Sequence, residues 1–281
     1  MGIQLQWLGA LPLNRSLQTL VDTPTWSIHT RIQLPRQLAG IGKVAAAAWS
    51  SNFYLLDELQ LQIIAVSPRG EILYKYGGWG TGTLSLDLPV HLIAVENSVF
   101  VLDQGQRQIL RLDAMLNPVA VAPLPDDRLP LSFCRDVQRR FWVIYENQAG
   151  IFVYDEAGGL IDIVADRTDG LAVILHPSLI ASSHQGIAVW DSIEGTLYIF
   201  RLSGQFVGKR SLTDDQAPIA MVWVGGQLLL TTGDQLLVLP SLEAMITPVA
   251  GTSNLVDLTT RPPELIGLDP SGVLRVFRPL P

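Results

Sequence analysis

The side chains best able to do chemistry in this 281-residue sequence are four histidines and one cysteine. Cys134 has no second cysteine to pair with, and its place beside Phe133 favours a buried thiol in a reducing compartment. The histidines lie far apart in the chain and lack the His/Cys spacings of zinc sites: His29, His91, His176 and His184. The sequence therefore predicts no metal and no cofactor, and leaves acid–base chemistry as the reaction type to look for.

His91 is the first candidate for a general base or a ligand contact, because it follows Pro89 and Val90 at the start of a predicted strand. The competing interpretation is a histidine held at the start of its strand by the backbone, since either ring nitrogen can find a hydrogen-bond partner there. His176 and His184 flank a later strand of the same kind. A hydrolase or lyase built on His91 needs a second titratable group in the same pocket.

The strands that would position His91 belong to a repeat. Each copy has an apolar strand that ends near an acidic residue, a polar loop, a second apolar strand, a turn and an outer strand. The last two copies are weaker than the others. The acidic residues are spaced by 46, 43, 45, 43 and 35 residues: Asp57, Asp103, Glu146, Asp191, Asp234 and Asp269. A further strand precedes each acidic strand, in four copies after a proline: Pro89, Pro130, Pro177 and Pro218.

Four strands per repeat and six repeats predict an all-β chain folded as a six-bladed β-propeller of four-stranded antiparallel blades. The small side chains of residues 44–48 suit an innermost strand, where space is shortest. The last copy lacks an outer strand, and residues 26–34 alternate with period two, so this N-terminal strand should complete the last blade. Seven blades, with residues 20–22 as another anchor, is the alternative.

In the predicted ring, the starts of the six inner strands surround the mouth of the central channel. The residues at the starts of the inner strands are Lys43, His91, Ser132, Leu179, Ala220 and Asn254, a set without a carboxylate. Ca²⁺ needs several oxygen ligands that include carboxylates, so a calcium-dependent propeller enzyme is disfavoured. Asp57, Asp103 and Asp191 occur once per blade and are interpreted as caps of turns rather than as one catalytic cluster.

The pattern of the second copy resembles the NHL-repeat propellers. Pro89, residues 93–95, residues 101–103 and Ile109 fall where that family has its proline, its inner strand, its acidic strand end and its next strand, and glycines upstream echo its linker: Gly78, Gly80 and Gly82. Gln106 and Gln108 stand where the family usually has Asn and Arg. The resemblance implies the fold and no particular activity.

Other motifs favour structural interpretations. Residues 77–82 are rich in glycine but lack the Lys-Ser/Thr and helix of a phosphate loop, which indicates a linker between blades. Arg135, Arg139 and Arg140 predict a charged loop, with a basic recognition patch as the alternative. A sensor for small ligands or sugars would use exposed indoles, with three candidates: Trp49, Trp79 and Trp223.

Composition and the N-terminus complete the functional expectations. A net charge of −7 without a basic cluster predicts no nucleic-acid partner, and no apolar run is long enough for a membrane span. The N-terminus lacks the basic start of a signal peptide, so a cytoplasmic protein is expected, with a secreted mature form as the alternative. Residues 1–25 precede the propeller domain of residues 26–281 as an extension.

The extension and the lack of a reactive cluster together predict a non-enzymatic scaffold that binds protein partners in a larger assembly. Ile3, Leu5 and Trp7 alternate with glutamines, so the extension is either a strand laid on the edge of an outer blade or an arm that binds a partner. A hydrolase or lyase at the channel mouth and a small-ligand sensor are the competing functions.

Overall fold

The computed structural model describes residues 26–38, 40–80, 85–166, 172–249 and 252–279. These residues form six antiparallel sheets of four strands each, arranged as a ring of blades. The predicted all-β, six-bladed propeller is confirmed. Within the described ranges the only helix is a single 3₁₀ turn, Asp214–Gln216, and none is long and apolar enough to cross a membrane.

The described chain begins with β1 (Trp26–Gln33), and the first three blades follow it. Blade 1 consists of β2 (Ile41–Ala46), β3 (Phe53–Asp57), β4 (Gln62–Val66) and β5 (Ile72–Gly77). Blade 2 consists of β6 (Pro89–Val95), β7 (Ser98–Asp103), β8 (Gln108–Leu112) and β9 (Pro118–Pro123). Blade 3 consists of β10 (Pro130–Arg135), β11 (Phe141–Tyr145), β12 (Ile151–Tyr154) and β13 (Leu160–Val164).

The remaining blades continue in the same order, from an inner strand to an outer one. Blade 4 consists of β14 (Pro177–Ser182), β15 (Ile187–Asp191), β16 (Thr196–Phe200) and β17 (Phe206–Ser211). Blade 5 consists of β18 (Ala220–Val224), β19 (Gln227–Thr231), β20 (Leu236–Leu239) and β21 (Thr247–Val249). Blade 6 consists of β22 (Asp257–Arg261), β23 (Glu264–Leu268), β24 (Val273–Pro279) and, from the N-terminal side, β1.

Strand β1 closes the ring by completing blade 6. It pairs antiparallel with β24, from Trp26 opposite Pro279 to Gln33 opposite Val273. Ile32 points into an apolar cluster shared by blades 6 and 1, while most of the strand's other side chains face solvent. The predicted closing segment is therefore confirmed, and the seven-blade alternative is wrong for the observed ring. Residues 20–22, on which that alternative rested, lie outside the described residues.

The packing of the blades explains why the repeats are so apolar. Every residue in the second strand of every blade is buried, because both faces of that strand are covered by neighbouring blades. The inner strand of blade 1 runs from Ile41 to Ala46 and not over residues 44–48 as predicted, since the chain turns at Ala47 toward β3. Of its small side chains, Val44 and Ala46 line the channel, whereas Ala45 packs in the cluster of blades 1 and 2.

Buried carboxylates fasten the loops of successive strands, as the regular acidic residues predicted. Asp103 accepts backbone hydrogen bonds from Leu88 and Gln106 at Oδ1 and from Asp87 at Oδ2, at 3.0–3.2 Å. It therefore joins the connection that leads into blade 2 to the turn between β7 and β8. Asp57 caps the corresponding turn of blade 1 through the Gln60 N–H, at 2.9 Å. These aspartates act as turn caps and not as a catalytic group.

Candidate functional site

The central channel is the first place to look for a site, because all six inner strands converge on it. Two cavities occupy it, of about 210 Å³ near the starts of the inner strands and about 140 Å³ near their ends. His91 and Asp257 line both cavities, and Lys43 lines the larger one. Cys134 and Arg135 also line the smaller cavity, so five titratable residues occur among the mainly aliphatic walls of the two cavities.

A repeated irregularity of the inner strands sets the direction of these side chains. In blades 1 to 4 the pairing between the first two strands skips one residue just after the inner strand begins. After this bulge, Lys43 lies opposite Leu56 and His91 lies opposite Leu102. β-Bulges redirect side chains in this way, and here they align one residue per blade around the channel.

His91 is held by its neighbour in blade 3. Its Nδ1 accepts a hydrogen bond from the Phe133 backbone N–H at 3.3 Å and lies 3.1 Å from the Ser132 hydroxyl oxygen. The Phe133 ring packs edge-on against the imidazole, with 5.4 Å between centroids. Because Nδ1 is an acceptor, the proton of the neutral ring sits on Nε2. Burial, together with the positive charge of Lys43, lowers the pKa of His91 to about 3.

This geometry favours the structural interpretation of His91. At neutral pH the imidazole is uncharged, its basic nitrogen is already used, and Nε2–H can only donate. The enzyme hypothesis required a second titratable group in the pocket, and Lys43 and Asp257 meet that condition. No hydrogen bond joins either of them to His91 in the described part of the chain, so the channel holds no assembled acid–base pair.

Asp257 corrects the predicted ring of channel residues. The sixth inner strand begins at Asp257, so Asn254 is not its first residue and the channel does contain a carboxylate. Asn254 instead has a positive φ of 63° in the connection that precedes the strand. Asp257 accepts the Val44 N–H at Oδ2, at 2.8 Å, and its Oδ1 lies 3.8 Å from Lys43 Nζ. Burial raises the pKa of its carboxyl group.

The Lys43–Asp257 pair joins blade 1 to blade 6, the two blades at the closure of the ring. A partly exposed ion pair of this length contributes little stability by itself. The contact uses the one carboxylate of the channel, and within the described ranges no group of three or more His, Cys, Asp or Glu residues could hold a metal ion. The geometry therefore supports a structural role for Asp257, which joins blade 6 to blade 1 and so helps to close the ring.

The other histidines are separate from the channel cavities. His29 is exposed on β1, and His184 is exposed in the turn between β14 and β15. His176 precedes β14, where its backbone N–H donates to Asp191 Oδ2 at 2.9 Å. The structure does not bring these histidines together with His91.

The arginine-rich segment is a charge-paired loop, as its first interpretation predicted. Arg135 is buried and pairs with Glu96, at 3.0 Å, and with Glu156. Arg139 also pairs with Glu96, at 3.2 Å, and Arg140 pairs with Asp136. Acidic partners thus neutralise the positive charges, so the segment does not form the basic recognition patch that was the alternative.

The three candidate tryptophans have different surroundings. Trp49 packs against Tyr54, with 5.9 Å between ring centroids. Trp79 follows β5 in the connection between blades 1 and 2 and is 75% exposed. Trp223 lines a cavity between blades 4 and 5. Ile3, Leu5 and Trp7, predicted to contact a partner, lie outside the described residues.

The surroundings of His91 predict how stability depends on pH. An unfolded imidazole titrates near 6.5, and the folded one near 3, so the unfolded chain binds the proton first as the pH falls. As the pH falls from 6.5 to 4.5, we expect protonation of His91 in the unfolded chain to lower the free energy of unfolding by roughly 1 kcal/mol per pH unit. Urea unfolding of the wild type and of His91→Asn, which keeps an acceptor near the Nδ1 position, measures this slope. Equal slopes, or a His91 NMR titration near pH 6.5, would contradict the assignment.

Comparison with known proteins supports the fold and leaves the activity open. No protein-family model and no curated protein matches the chain. A solved streptogramin B lyase structure is similar, with a TM-score of 0.62 and 11% identity over 91% of this chain and 98% of that one. A structure of virginiamycin B lyase from Staphylococcus aureus has a TM-score of 0.63 and 12% identity, over 91% of this chain and 100% of that one. The structure of BamB from Moraxella catarrhalis has a TM-score of 0.53 and 13% identity, over 90% of this chain and 97% of that one.

These identities show a shared fold and nothing about chemistry. The predicted resemblance to known β-propellers is therefore confirmed at the level of the fold. The lyase activity named for two of the neighbours belongs to those proteins.

Proposed function

We propose that this propeller is a non-enzymatic scaffold that binds a protein partner along β13, the outer strand of blade 3. The observation that carries the proposal is a difference among the outer strands. An outer strand exposes unpaired backbone groups, and proteins protect such edges with charged side chains, above all Lys, with Pro, with β-bulges or with very short strands. In the described structure, β13 is the outer strand that has no basic residue and no proline and is longer than three residues; its sequence is Leu-Ile-Asp-Ile-Val, with one charge at Asp162 and a register shift against β12.

The other five outer strands each carry protection. Basic residues lie in β1, β5 and β17: Arg31, Lys75, and Lys209 with Arg210. Strand β9 has a proline at each end, and β21 has only three residues with Pro248 in the middle. Proline cannot donate to a new ladder, so both of these strands resist the addition of another strand. Among the described outer strands, edge pairing is therefore least hindered at β13.

The side chains of β13 give this edge an apolar surface. Leu160 and Ile161 are about half exposed, at 50% and 52%, and Ile163 is 37% exposed. Strand β9 of the preceding blade adds Val119 and Val121, which are exposed to a similar degree. The two strands approach closely at one point of the rim: a Cβ atom on Gly158, just before β13, would clash with the Pro123 carbonyl oxygen at the end of β9. Contiguous exposed apolar surface of this kind marks interaction sites.

The chemistry of the rim defines the partner. Asp162 is the only charged residue in β9 and β13, and it is exposed at the middle of β13. An added strand would place a side chain opposite it, where an opposite charge is favourable. The partner therefore presents an extended apolar segment with a basic residue near its centre, which binds by β-augmentation.

The channel supports catalysis less well than the rim supports binding. His91 has its basic nitrogen engaged, and Asp257 is bonded to the backbone of β2 and paired with Lys43. A hydrolase or lyase would have to break these contacts in order to use either group. The partner-binding role of Ile3, Leu5 and Trp7 stays a prediction.

The proposal predicts that a positive charge in β13 abolishes partner binding. Ile161→Lys restores the edge protection that β13 lacks and removes part of its apolar surface, so we expect recovery of a specific partner from the native source to fall by roughly tenfold or more. Leu73→Lys is the matched control, because Leu73 is also exposed on an outer strand but lies in blade 1. Quantitative pull-downs under equal loading measure both variants. Equal recovery by Ile161→Lys and the wild type would overturn the proposal.

A further inference from the structure

The largest of the cavities described here lies away from the channel, at the junction of blades 4 and 5. It has a volume of about 370 Å³. Its walls are mainly apolar and come from Ile199 and Val207 of blade 4 and from Trp223, Leu239 and Leu242 of blade 5. Glu243 lines it too, in the loop between β20 and β21. Two repeats thus build an apolar pocket that opens at the rim.

Trp223 forms part of the apolar wall of this pocket and is only partly buried. Leu228 and Leu239 lie beside it in the same wall. Apolar walls of this kind suit a peptide segment whose side chains fill the pocket.

The start of the described chain and this pocket lie on opposite sides of blade 5. Trp26 is buried in the cluster between blades 5 and 6, where it packs with residues of β18 to β20 such as Val224 and Leu229. Strand β1 occupies in blade 6 the place that β17 has in blade 4. Since Val207 lies near the beginning of β17, Trp26 at the beginning of β1 holds the equivalent position, two blades from Val207 and beside the blade that carries Trp223.

Residues 3–8 have the chemistry that the pocket requires. Ile3, Leu5, Trp7 and Leu8 are apolar and uncharged, and the intervening glutamines carry no charge. About 19 residues separate Trp7 from Trp26, and at roughly 3.3 Å per residue such a chain can extend up to about 60 Å. That reach is ample for the width of one or two blades.

We infer that residues 3–8 of this chain bind in the pocket between blades 4 and 5, with their apolar side chains against its walls. The inference goes beyond the proposed function, because it concerns a different surface of the ring. It also selects between the two predicted uses of the extension, since it places the apolar side chains against their own propeller. The free rim of blade 3 is then the surface left for a partner.

Disulfide trapping in the full chain tests this inference. A Gln6→Cys/Glu243→Cys pair places one thiol in the segment and one on the pocket wall, while Cys134 is buried and has a raised pKa. The control pair is Gln6→Cys/Glu71→Cys, because Glu71 is exposed in a turn of blade 1, on the other side of blade 6. We expect the first pair to form an intramolecular disulfide at least roughly tenfold faster under mild oxidation, since docking raises the local concentration.

A pocket variant separates docking from simple proximity. Val207→Asp in the first cysteine pair should reduce the rate to that of the control pair, because it places a charge at the apolar mouth of the pocket. Val119→Asp should leave the rate unchanged, since Val119 is equally exposed on an outer strand of blade 2. Equal rates for the two cysteine pairs would overturn the inference. Disulfides found only between two chains would also overturn it and would identify a second copy as the donor of the segment.

Discussion

Replacing Asp191 with alanine is expected to lower the free energy of unfolding by about 3–5 kcal/mol. Asp191 is fully buried, and its carboxylate accepts four backbone hydrogen bonds. Oδ2 accepts from Leu175 and His176 at 3.0 and 2.9 Å, and Oδ1 accepts from Ile193 and Glu194 at 3.1 and 3.0 Å. Alanine would leave these donors without their acceptor and would separate the connection into blade 4 from the turn between β15 and β16.

Asp155→Ala is the matched control for this prediction. Asp155 accepts the N–H groups of Ala157 and Gly159 in a turn of blade 3, at 2.9 and 2.8 Å, but it is exposed, so water can replace the lost bonds. We expect this variant to lose no more than about 1 kcal/mol. Urea unfolding followed by tryptophan fluorescence gives both values. A similar, small loss in the two variants would show that Asp191 does not fasten the blades together.

Replacing Ile32 with aspartate is expected to open the ring, with a loss of roughly 4 kcal/mol or more in the free energy of unfolding. Ile32 is the residue through which β1 enters the cluster formed by blades 6 and 1, and it packs there with Leu34, Ile266 and Leu274 among others. A carboxylate at this position would be buried among aliphatic side chains. Loss of β1 would in turn expose the edge of β24.

Thr30→Asp is the control variant, because it adds the same charge to β1 at an exposed position. Thr30 faces solvent two residues before Ile32, opposite Val276 of β24. This variant should unfold within about 0.5 kcal/mol of the wild type. Thermal and urea unfolding of both variants, with size-exclusion chromatography to detect association through an opened edge, measures the contrast. Equal stability of Ile32→Asp and Thr30→Asp would contradict the closing role of β1.

The repeat and its closure could be predicted from sequence because they depend on local patterns. The acidic strand ends and the prolines at the starts of β6, β10 and β14 recur in register with each blade. The alternation of residues 26–34 identified β1 because one face of that strand is covered by the ring and the other is not. These features are set by the chain within one repeat, so the sequence shows them directly.

Asp257 was missed because the last repeat is compressed. Counting from the preceding copies placed the start of the sixth inner strand at Asn254, whereas that residue belongs to the connection and the strand starts three residues later. The position of Asp257 between Val256 and Leu258 could have indicated a buried contact, since a single charge within an apolar strand needs a partner. Its partners, Lys43 and the Val44 N–H, are more than two hundred residues away in the chain.

The rim and the pocket could not be read from the repeat pattern. Residues 160–164 look like a buried strand in sequence, and only the position of β13 at the outside of its blade exposes them. The pocket around Trp223 forms between residues of two repeats, so its shape depends on how adjacent blades pack. Surfaces of a propeller arise from the ring as a whole, which is why the sequence predicts the architecture more fully than the contacts.

Hydrogen exchange of the protein alone and in complex with the partner recovered from its native source tests the scaffold proposal most directly. Among the described strands, none pairs with the outer edge of β13. If the partner adds a strand there, exchange within Leu160–Val164 should slow by roughly tenfold or more, with channel residues such as His91 unaffected. Unchanged exchange in β13, with protection concentrated around His91 and Asp257 in the channel, would contradict the proposal.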